Sequence, residues 1–265
     1  MSSQRKNDYC TMSAATTTAK STLWIWPSGL FPRRLIYYFR AKHVTLSTLS
    51  SHNIHLIPVS LTTSPPALGS RPGHEARPAD SSLPIMRIEH ADGRTVWIRE
   101  SVSILEYFEE LFPVSDGWED LRGETAEPRA RTRDVLSLLN DAMHWGFISL
   151  IHSDPRTTFW SGLSEWEMSP STAAHAHKKQ RFYLERLDRW LEVDGGQEME
   201  VATLAGLVLL ANVEYPEMMY GTDWVGGHDV LRAWVEAMKG EEWYVGNEEL
   251  KGVERGEGWE TLLGD

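Results

Sequence analysis

The hydrophobic periodicity of the sequence changes once, close to Pro113, and this change restricts the possible folds more than any other feature. Before it, apolar residues form short runs, and Ile85–His90 and Thr95–Ile98 flank an Asp92-Gly93 turn, which predicts a β-hairpin. From Pro128 onward, apolar residues recur every three to four positions, as in amphipathic helices. The sequence therefore predicts a small α/β domain followed by an all-helical domain.

The α/β part is predicted to follow the order β-α-β-loop-β-β-α, with a mixed four-stranded sheet. A strand, Leu23–Trp26, ends at a Pro-Ser-Gly turn, a helix extends from Pro32 to about Lys42, and His55–Leu61 forms the next strand. Thr62–Ser82 is rich in proline, glycine and serine and has no apolar period, so a long loop or an irregular helix is expected there.

Four segments are predicted along the chain. They are a disordered tail over residues 1–21, a thioredoxin-like α/β domain over 22–113, a polar linker over 114–127 and an all-helical domain over 128–265. The single cysteine, Cys10, lies in the predicted tail, so an intramolecular disulfide is excluded.

The formal net charge of −12 argues against nucleic acid as a partner. Much of the acidity is C-terminal, because residues 236–265 hold nine acidic and three basic side chains. Such a surface also repels anionic membranes. The longest apolar run, Val201–Val213, is too short to span a bilayer, and the N-terminus lacks the apolar core of a secretory signal, so a cytoplasmic location is expected.

Three passages carry a likeness to a known family. The first is Trp26–Arg34, a turn leading into a helix; the second combines Leu83-Pro84 with Glu100–Tyr107; the third is Val201–Leu207. Together with the predicted strand order, these passages resemble the glutathione S-transferase superfamily, and the first is similar to the active-site turn of its fungal members. The resemblance implies a thioredoxin-like domain joined to a helical one.

The second passage implies a glutathione-binding site. In the family, the residue before the proline pairs its backbone with the cysteinyl part of glutathione and the bond to the proline is cis, so Leu83 and Pro84 are expected to take these roles. Ser101 would hold the γ-glutamyl carboxylate at a helix N-terminus, where free N–H groups favour an anion, and Glu100 would hold its ammonium. The alternative is ordinary helix-start chemistry, with Ser101 as the N-cap and Glu100 as a first-turn acid.

Ser28 is the expected stabiliser of the glutathione thiolate. Family members use Tyr, Ser or Cys at the first turn; Cys10 precedes the first strand, and Tyr37 and Tyr38 lie within the predicted helix. The register stays open, because Gly29 matches the catalytic column equally well, and a turn serine making local backbone bonds is the alternative. Arg33 and Arg34 could add a favourable field, although arginines on an early helical turn are more often solvated or paired with carboxylates.

The third passage departs from the family pattern, in which a Ser or Thr begins the helix and an Asp follows three residues later. Here Thr203 can still cap the helix, but Gly206 follows at that spacing, so the reciprocal capping bond is expected to be missing. The predicted consequence is a loss of stability, of order 1 kcal/mol, with the fold unchanged.

The remaining expectations concern the other ligands. The resemblance places the electrophile against the first long helix of the second domain, with these candidates: Asn140, Met143, His144 and Phe147. Arg71, His74 and Arg77 in the long loop are candidates for binding the glycyl carboxylate of glutathione. No metal is expected, since the pairs His52/His55 and His175/His177 lack evident carboxylate partners. A homodimer is a further implication of the resemblance.

The sequence thus predicts a glutathione-dependent transferase that conjugates the glutathione thiolate, as co-substrate, to an electrophilic and apolar small molecule. The fungal character of the active-site turn suggests detoxification or a step in secondary metabolism. A non-catalytic regulatory or protein-interaction module with the same fold is the alternative, and a glutathione-dependent isomerase or lyase would share the site.

Overall fold

The structure is a computed structural model that describes residues 19–63, 66–79, 81–193 and 202–265. Within these ranges, a five-stranded sheet has the order β3-β2-β1-β4-β5. The strands are β1 (Lys20–Ile25), β2 (Ile54–Thr63), β3 (Pro66–Ser70), β4 (Ile85–Glu89) and β5 (Thr95–Ile98). β1 and β2 are parallel and the other neighbouring pairs are antiparallel, so the sheet is mixed.

Helices cover one side of the sheet and form the C-terminal region. They are α1 (Leu30–Ala41), α2 (Leu46–Ser51), α3 (Ser101–Leu111), α4 (Ala126–Ile151), α5 (Thr158–Ser161), α6 (Pro170–Val193), α7 (Leu204–Tyr220), α8 (Asp229–Lys239), α9 (Asn247–Arg255) and α10 (Glu260–Leu263). Short 3-10 turns at Val114–Asp116, Pro155–Thr157 and Glu165–Glu167 join some of them. The expected α/β region followed by a helical region is confirmed.

The strand directions bring distant passages to one edge of the sheet. β4 runs antiparallel to β1, with Trp24 opposite Ile85, and β5 runs antiparallel to β4, with Ile98 opposite Met86. Consequently the end of β1, the start of β4 and the end of β5 all lie at the same edge. The turn after β1, the Leu83-Pro84 pair and the Glu100-Ser101 pair are therefore neighbours in space.

The sheet has one strand more than the four that were predicted. The stretch Thr62–Ser82, expected to be a loop or irregular helix, contains β3, which pairs antiparallel with β2. β3 is an edge strand whose side chains are exposed or half-buried, so it needs no apolar alternation. The short helix α2 was also missed; its six residues are too few to show a helical period.

The boundaries at both ends of the first strand shift slightly. β1 begins at Lys20, inside the segment assigned to the tail, and Cys10 lies outside the described residues. The sheet buries Leu23 and Ile25 on the side of α1 and α3, in the main core that also contains the helical region. Its other face carries a smaller cluster around Trp24 and Leu83.

Helix α1 is buried along nearly its whole length because it lies between the sheet and the helical region. It packs against α3 on one side and against α7 and α10 on the other. Its aromatic residues Tyr37, Tyr38 and Phe39 are fully buried, and the Tyr37 hydroxyl donates to the Glu214 carboxylate of α7 at 3.2 Å. The α1–α7 contact therefore joins the two regions through both apolar and polar groups.

The start of α7 explains the departure from the family capping pattern. The Thr203 hydroxyl accepts a hydrogen bond from the Gly206 N–H at 3.1 Å, so the N-cap forms without a reciprocal acid. A β-carbon built on Gly206 would lie 3.0 Å from Cζ2 of Trp234 and 3.1 Å from the Met238 sulfur. Glycine at this position permits the close approach of α7 and α8.

Among the described residues, no helix has the combined length and hydrophobicity that crossing a membrane requires.

We predict that Gly206→Ala destabilises the protein even though alanine is the better helix former. The gain of about 1 kcal/mol in helix propensity is outweighed by overpacking against Trp234, which costs roughly 1–3 kcal/mol. Urea unfolding measures the change. In a Trp234→Phe background, which lacks the nearest atom, Gly206→Ala should lower the free energy of unfolding by a smaller amount. If Gly206→Ala alone stabilised the protein, the packing explanation would be wrong.

Candidate functional site

The turn between β1 and α1 is built around Gly29, which is the N-cap residue of α1. The Gly29 N–H donates to the Trp26 carbonyl at 2.9 Å, which closes the turn. A β-carbon built on Gly29 would lie 2.5 Å from Cε3 of the Trp26 ring and 3.1 Å from the Trp26 carbonyl oxygen. Position 29 therefore admits only glycine in this conformation, and Ser28 supplies the hydroxyl of the turn.

Ser28 is buried, and partners from other parts of the chain hold its backbone. Its N–H donates to Oε1 of Glu254 on α9 at 2.8 Å, and its carbonyl accepts from Nη2 of Arg33 at 2.5 Å. Among the described residues, the Ser28 hydroxyl has no hydrogen-bond partner of its own. The turn is thus held rigidly with one hydroxyl left free for a ligand.

The Leu83–Pro84 peptide bond is cis, as the resemblance implied. Both residues are buried at the start of β4. Across the same edge of the sheet, Glu100 is exposed and takes the N-cap position of α3, while Ser101 is the first helical residue and is buried. The expectation that Ser101 is the N-cap is therefore wrong by one residue, because the helix already begins at Ser101.

A buried guanidinium contacts Ser101 from inside the protein. Nη1 of Arg34 donates to the Ser101 hydroxyl oxygen at 3.1 Å, and Nη2 donates to Oδ1 of Asn212 on α7 at 2.6 Å. Burial lowers the pKa of Arg34 to about 9, partly offset by the nearby Glu100 carboxylate, so the group is a cation at neutral pH. Its Nε has no partner among the described residues.

The two arginines of α1 are not solvated, contrary to the usual behaviour of an early helical turn. Arg33 is fully buried and lies 3.8 Å from the Glu214 carboxylate, whereas Arg34 hydrogen-bonds only neutral oxygens and lies over the Phe31 ring, 4.8 Å from its centroid. The reason is the placement of α1 between two layers, which no property of the local sequence reveals. Arg34 is consequently a buried cation without a directly bonded carboxylate among the described residues.

The arginines of the long loop serve mainly to fix the backbone. Nη1 of Arg71 donates to the Val253 carbonyl on α9 at 3.1 Å, and Arg77 donates to the carbonyls of Leu68 and Ser81. The His74 side chain is exposed. Of the three candidates for the glycyl carboxylate, two therefore already bond carbonyl oxygens, and Arg71 ties the loop to α9.

A cavity of about 190 Å³ lies among α4, α6 and α7 and includes two of the four electrophile candidates, Met143 and Phe147. Phe147 packs against Phe31 of α1 with ring centroids 6.1 Å apart, and Tyr215, another lining residue, contacts the Trp26 ring edge-on at 6.2 Å. The cavity walls therefore touch the turn that carries Ser28.

The other two electrophile candidates lie elsewhere. Asn140 is exposed and borders a surface groove with Val102 and Glu106 of α3, and His144 is exposed with its ring against Trp145. Neither lines the cavity. His144 is rotated by about 100° from Met143 around α4, whereas Asn140 lies on nearly the same face as Phe147 but two turns, about 10 Å, earlier along the helix.

Solved structures with a similar fold include glutathione transferases and a maleylacetoacetate isomerase. A glutathione S-transferase of Methylobacillus flagellatus KT with glutathione bound is 16% identical over 84% of this chain and 96% of its own, with a TM-score of 0.58. The chain has the glutathione transferase fold. A glutathione transferase of Populus trichocarpa (18% identity, 84% and 94% coverage, TM-score 0.55) has it as well.

A maleylacetoacetate isomerase of Anaeromyxobacter dehalogenans 2CP-1 with bound glutathione has the same glutathione transferase fold. It is 20% identical over 85% of this chain and 93% of its own, with a TM-score of 0.53. No protein-family model matches the sequence, and no curated protein sequence matches it either. At these identities the likeness shows the fold, and it does not show which reaction the protein catalyses.

The sequence predicted neither Asn212 nor Glu254 at the candidate site, and it suggested only a favourable field for Arg34. These residues come from α7, α9 and α1, and only tertiary packing brings them to Ser101 and Ser28. The sole signal available in the sequence was the Arg33-Arg34 pair at the start of an otherwise apolar helix. Among the described residues, no group of three or more His, Cys, Asp or Glu side chains could hold a metal ion.

We predict that Gly29→Ala destabilises the protein by roughly 1–3 kcal/mol, because the added methyl group overlaps the Trp26 ring. Ser28→Ala, which removes a hydroxyl without a partner at the adjacent position, serves as the control and should change the stability little. The midpoints of urea unfolding compare the two. An unchanged midpoint for Gly29→Ala would mean that position 29 accepts a side chain.

Proposed function

We propose that the protein binds glutathione at Leu83, Pro84, Glu100 and Ser101 and conjugates its thiolate to a small, apolar electrophile. The observation that carries the proposal is the hydrogen bond from the buried Arg34 guanidinium to the Ser101 hydroxyl. It gives the start of α3 three features that favour a carboxylate: a buried cation, a hydroxyl and the free N–H groups of a helix N-terminus.

The Arg34 contact determines what Ser101 can do. Because the hydroxyl oxygen already accepts a charge-assisted bond, its O–H is left to donate, and polarisation by the guanidinium strengthens that donation. A carboxylate can only accept hydrogen bonds, and its negative charge supplies the counter-charge that the buried guanidinium lacks. The γ-glutamyl carboxylate of glutathione satisfies both requirements.

The proposed thiolate stabiliser is the Ser28 hydroxyl. A free thiol has a pKa near 8.5, and a donated hydrogen bond beside the N-terminus of α1 lowers that value. Three observations support Ser28 over Gly29: the hydroxyl is unpartnered among the described residues, the backbone of the turn is fixed, and a side chain at position 29 would overlap Trp26. Catalysis would consist of orientation and thiolate stabilisation.

The proposed electrophile site is the cavity that includes Met143 and Phe147, since its walls contact the active-site turn. Solved structures with this fold include one bound to glutathione and one bound to S-(propanoic acid)-glutathione, a conjugate. Detoxification or a step in secondary metabolism is the setting we propose for such a reaction.

The alternative is a non-catalytic protein with the same fold. The observation that favours it is the Glu254 carboxylate, which accepts the Ser28 N–H next to the proposed sulfur position and would repel a thiolate. Glutathione binding without turnover distinguishes this alternative from the transferase.

We expect Ser101→Ala and Ser28→Ala to separate binding from chemistry. Ser101→Ala should weaken glutathione binding roughly tenfold, because it removes a charge-assisted donor, while Ser28→Ala should keep the affinity and lower kcat. Calorimetry with glutathione gives the affinity, and conjugation of 1-chloro-2,4-dinitrobenzene gives the rate.

Ser103→Ala is the matched control for Ser101→Ala, because Ser103 is exposed on the same helix. Failure of the wild type to bind glutathione would refute the site itself. Binding without conjugation of several electrophiles would favour the non-catalytic alternative, and full activity of Ser28→Ala would remove Ser28 from the mechanism.

We also predict that Glu254→Gln increases conjugation at neutral pH. A carboxylate beside the sulfur raises the pKa of the thiol, so its neutral analogue should move the rising limb of kcat/KM to lower pH by roughly one unit. Glu248→Gln is the control, because Glu248 lies on the same helix but is exposed and pairs with Lys251 and Arg255. Identical pH profiles for the wild type and Glu254→Gln would contradict this prediction.

A further inference from the structure

The cavity among α4, α6 and α7 has an apolar wall and a separate polar end. Besides Trp224, five of its lining residues are apolar or aromatic: Met143, Phe147, Leu150, Tyr215 and Pro216. At about 190 Å³ it is slightly larger than the engineered apolar cavities of about 150 Å³ that hold one benzene molecule. Its size and wall therefore suit a single substituted ring.

The polar end, beside Gly146, carries the Gln180 amide and the Trp224 indole, while Ser149, Ser153, Thr222 and His177 also line the cavity. Both side chains line the cavity and are more than nine-tenths buried, with exposed fractions of 5% for Gln180 and 4% for Trp224. Neither has a hydrogen-bond partner among the described residues, and neither nitrogen is among the fully buried atoms that lack a partner. Both nitrogens are therefore accessible from the cavity and can donate to an acceptor brought by a ligand.

The position of Gly146 shows that the two donors converge. A β-carbon built on Gly146 would lie 2.9 Å from Nε2 of Gln180 and 3.1 Å from Nε1 of Trp224. Both nitrogens therefore face the same small volume beside α4. Glycine inside a helix costs about 1 kcal/mol relative to alanine, and here it keeps that volume open.

The charge of the lining restricts the ligand further. None of the described lining residues is an Asp, Glu, Lys or Arg, and the one histidine, His177, is exposed at the rim. An indole N–H donates only, so the group opposite it has to be an acceptor. An ionic group would enter without a counter-charge, which is costly in a buried site.

We propose that this cavity binds an uncharged, ring-sized molecule through a carbonyl or nitro oxygen that accepts hydrogen bonds from Trp224 Nε1 and Gln180 Nε2. The identification of that molecule as the electrophile rests on the proposed function, whereas its recognition by the two donors does not. The ring packs between Phe147 and Leu150, and the acceptor lies beside Gly146.

The test compares acetophenone with α-methylstyrene, which has nearly the same shape but a methylene group in place of the carbonyl oxygen. Calorimetry on the wild-type protein should give roughly five- to tenfold tighter binding of acetophenone, the usual value of a neutral hydrogen bond. Benzoate should bind more weakly than acetophenone. Equal binding of the two neutral ligands, preference for benzoate, or no binding of acetophenone would each overturn the proposal.

Three variants test whether the preference for acetophenone over α-methylstyrene depends on these residues. Trp224→Phe and Gln180→Met should each reduce the acetophenone preference while retaining α-methylstyrene, and Gly146→Ala should weaken both ligands because its methyl group fills the polar end. Trp234→Phe is the control, because Trp234 Nε1 is buried and unpartnered among the described residues but does not line this cavity. Thermal unfolding verifies that each variant is folded.

Glutathione binding is measured on the same samples, so the two proposals fail separately. Loss of the acetophenone preference in Trp224→Phe but not in Trp234→Phe supports the cavity assignment whether or not glutathione binds. An unchanged preference in both Trp224→Phe and Gln180→Met overturns the cavity assignment and leaves the glutathione site untouched.

Discussion

The buried Arg34 guanidinium is the contact on which the rest of the molecule depends. It lies in α1 and bonds Ser101 at the start of α3 and Asn212 in α7, so one side chain joins the α/β region to the helical region. Burying a cation is costly unless its hydrogen bonds are satisfied, and only the observed packing of α1 provides these acceptors. The same bond that fixes the architecture also orients the hydroxyl proposed to bind glutathione.

Around this contact, the candidate site is assembled from both regions of the chain. The sheet edge supplies Leu83 and Pro84, α3 supplies Ser101, and α9 reaches back to hold the Ser28 N–H through Glu254. The cavity beside Phe147 belongs to the helical region but contacts the turn after β1. Neither region contains a complete site, so the stability of their junction is a condition for function.

Features that depend on residues close together in the sequence were predicted, whereas features that depend on distant residues were not. The hairpin and the Thr203 cap depend on neighbours within a few residues, and both were predicted. The edge strand β3 was missed because its side chains are partly exposed and need no apolar period. The burial of Arg34 was also missed, because it depends on α7, far away in sequence. The hydrophobic pattern of a short segment does not show that a charged side chain is buried by helices distant in the sequence.

The sequence by itself determined the class of fold and one edge of the candidate site. Strand directions follow from local turns and alternation, and they bring Leu83-Pro84 and Glu100-Ser101 together in any chain that folds this way. Tertiary structure alone decided which polar atoms of the candidate sites are left without a hydrogen-bond partner among the described residues. The unpartnered hydroxyl of Ser28, the donors of Gln180 and Trp224 and the partners of Arg34 depend on side chains brought from other helices, since hydrogen-bond satisfaction is a property of the packed molecule.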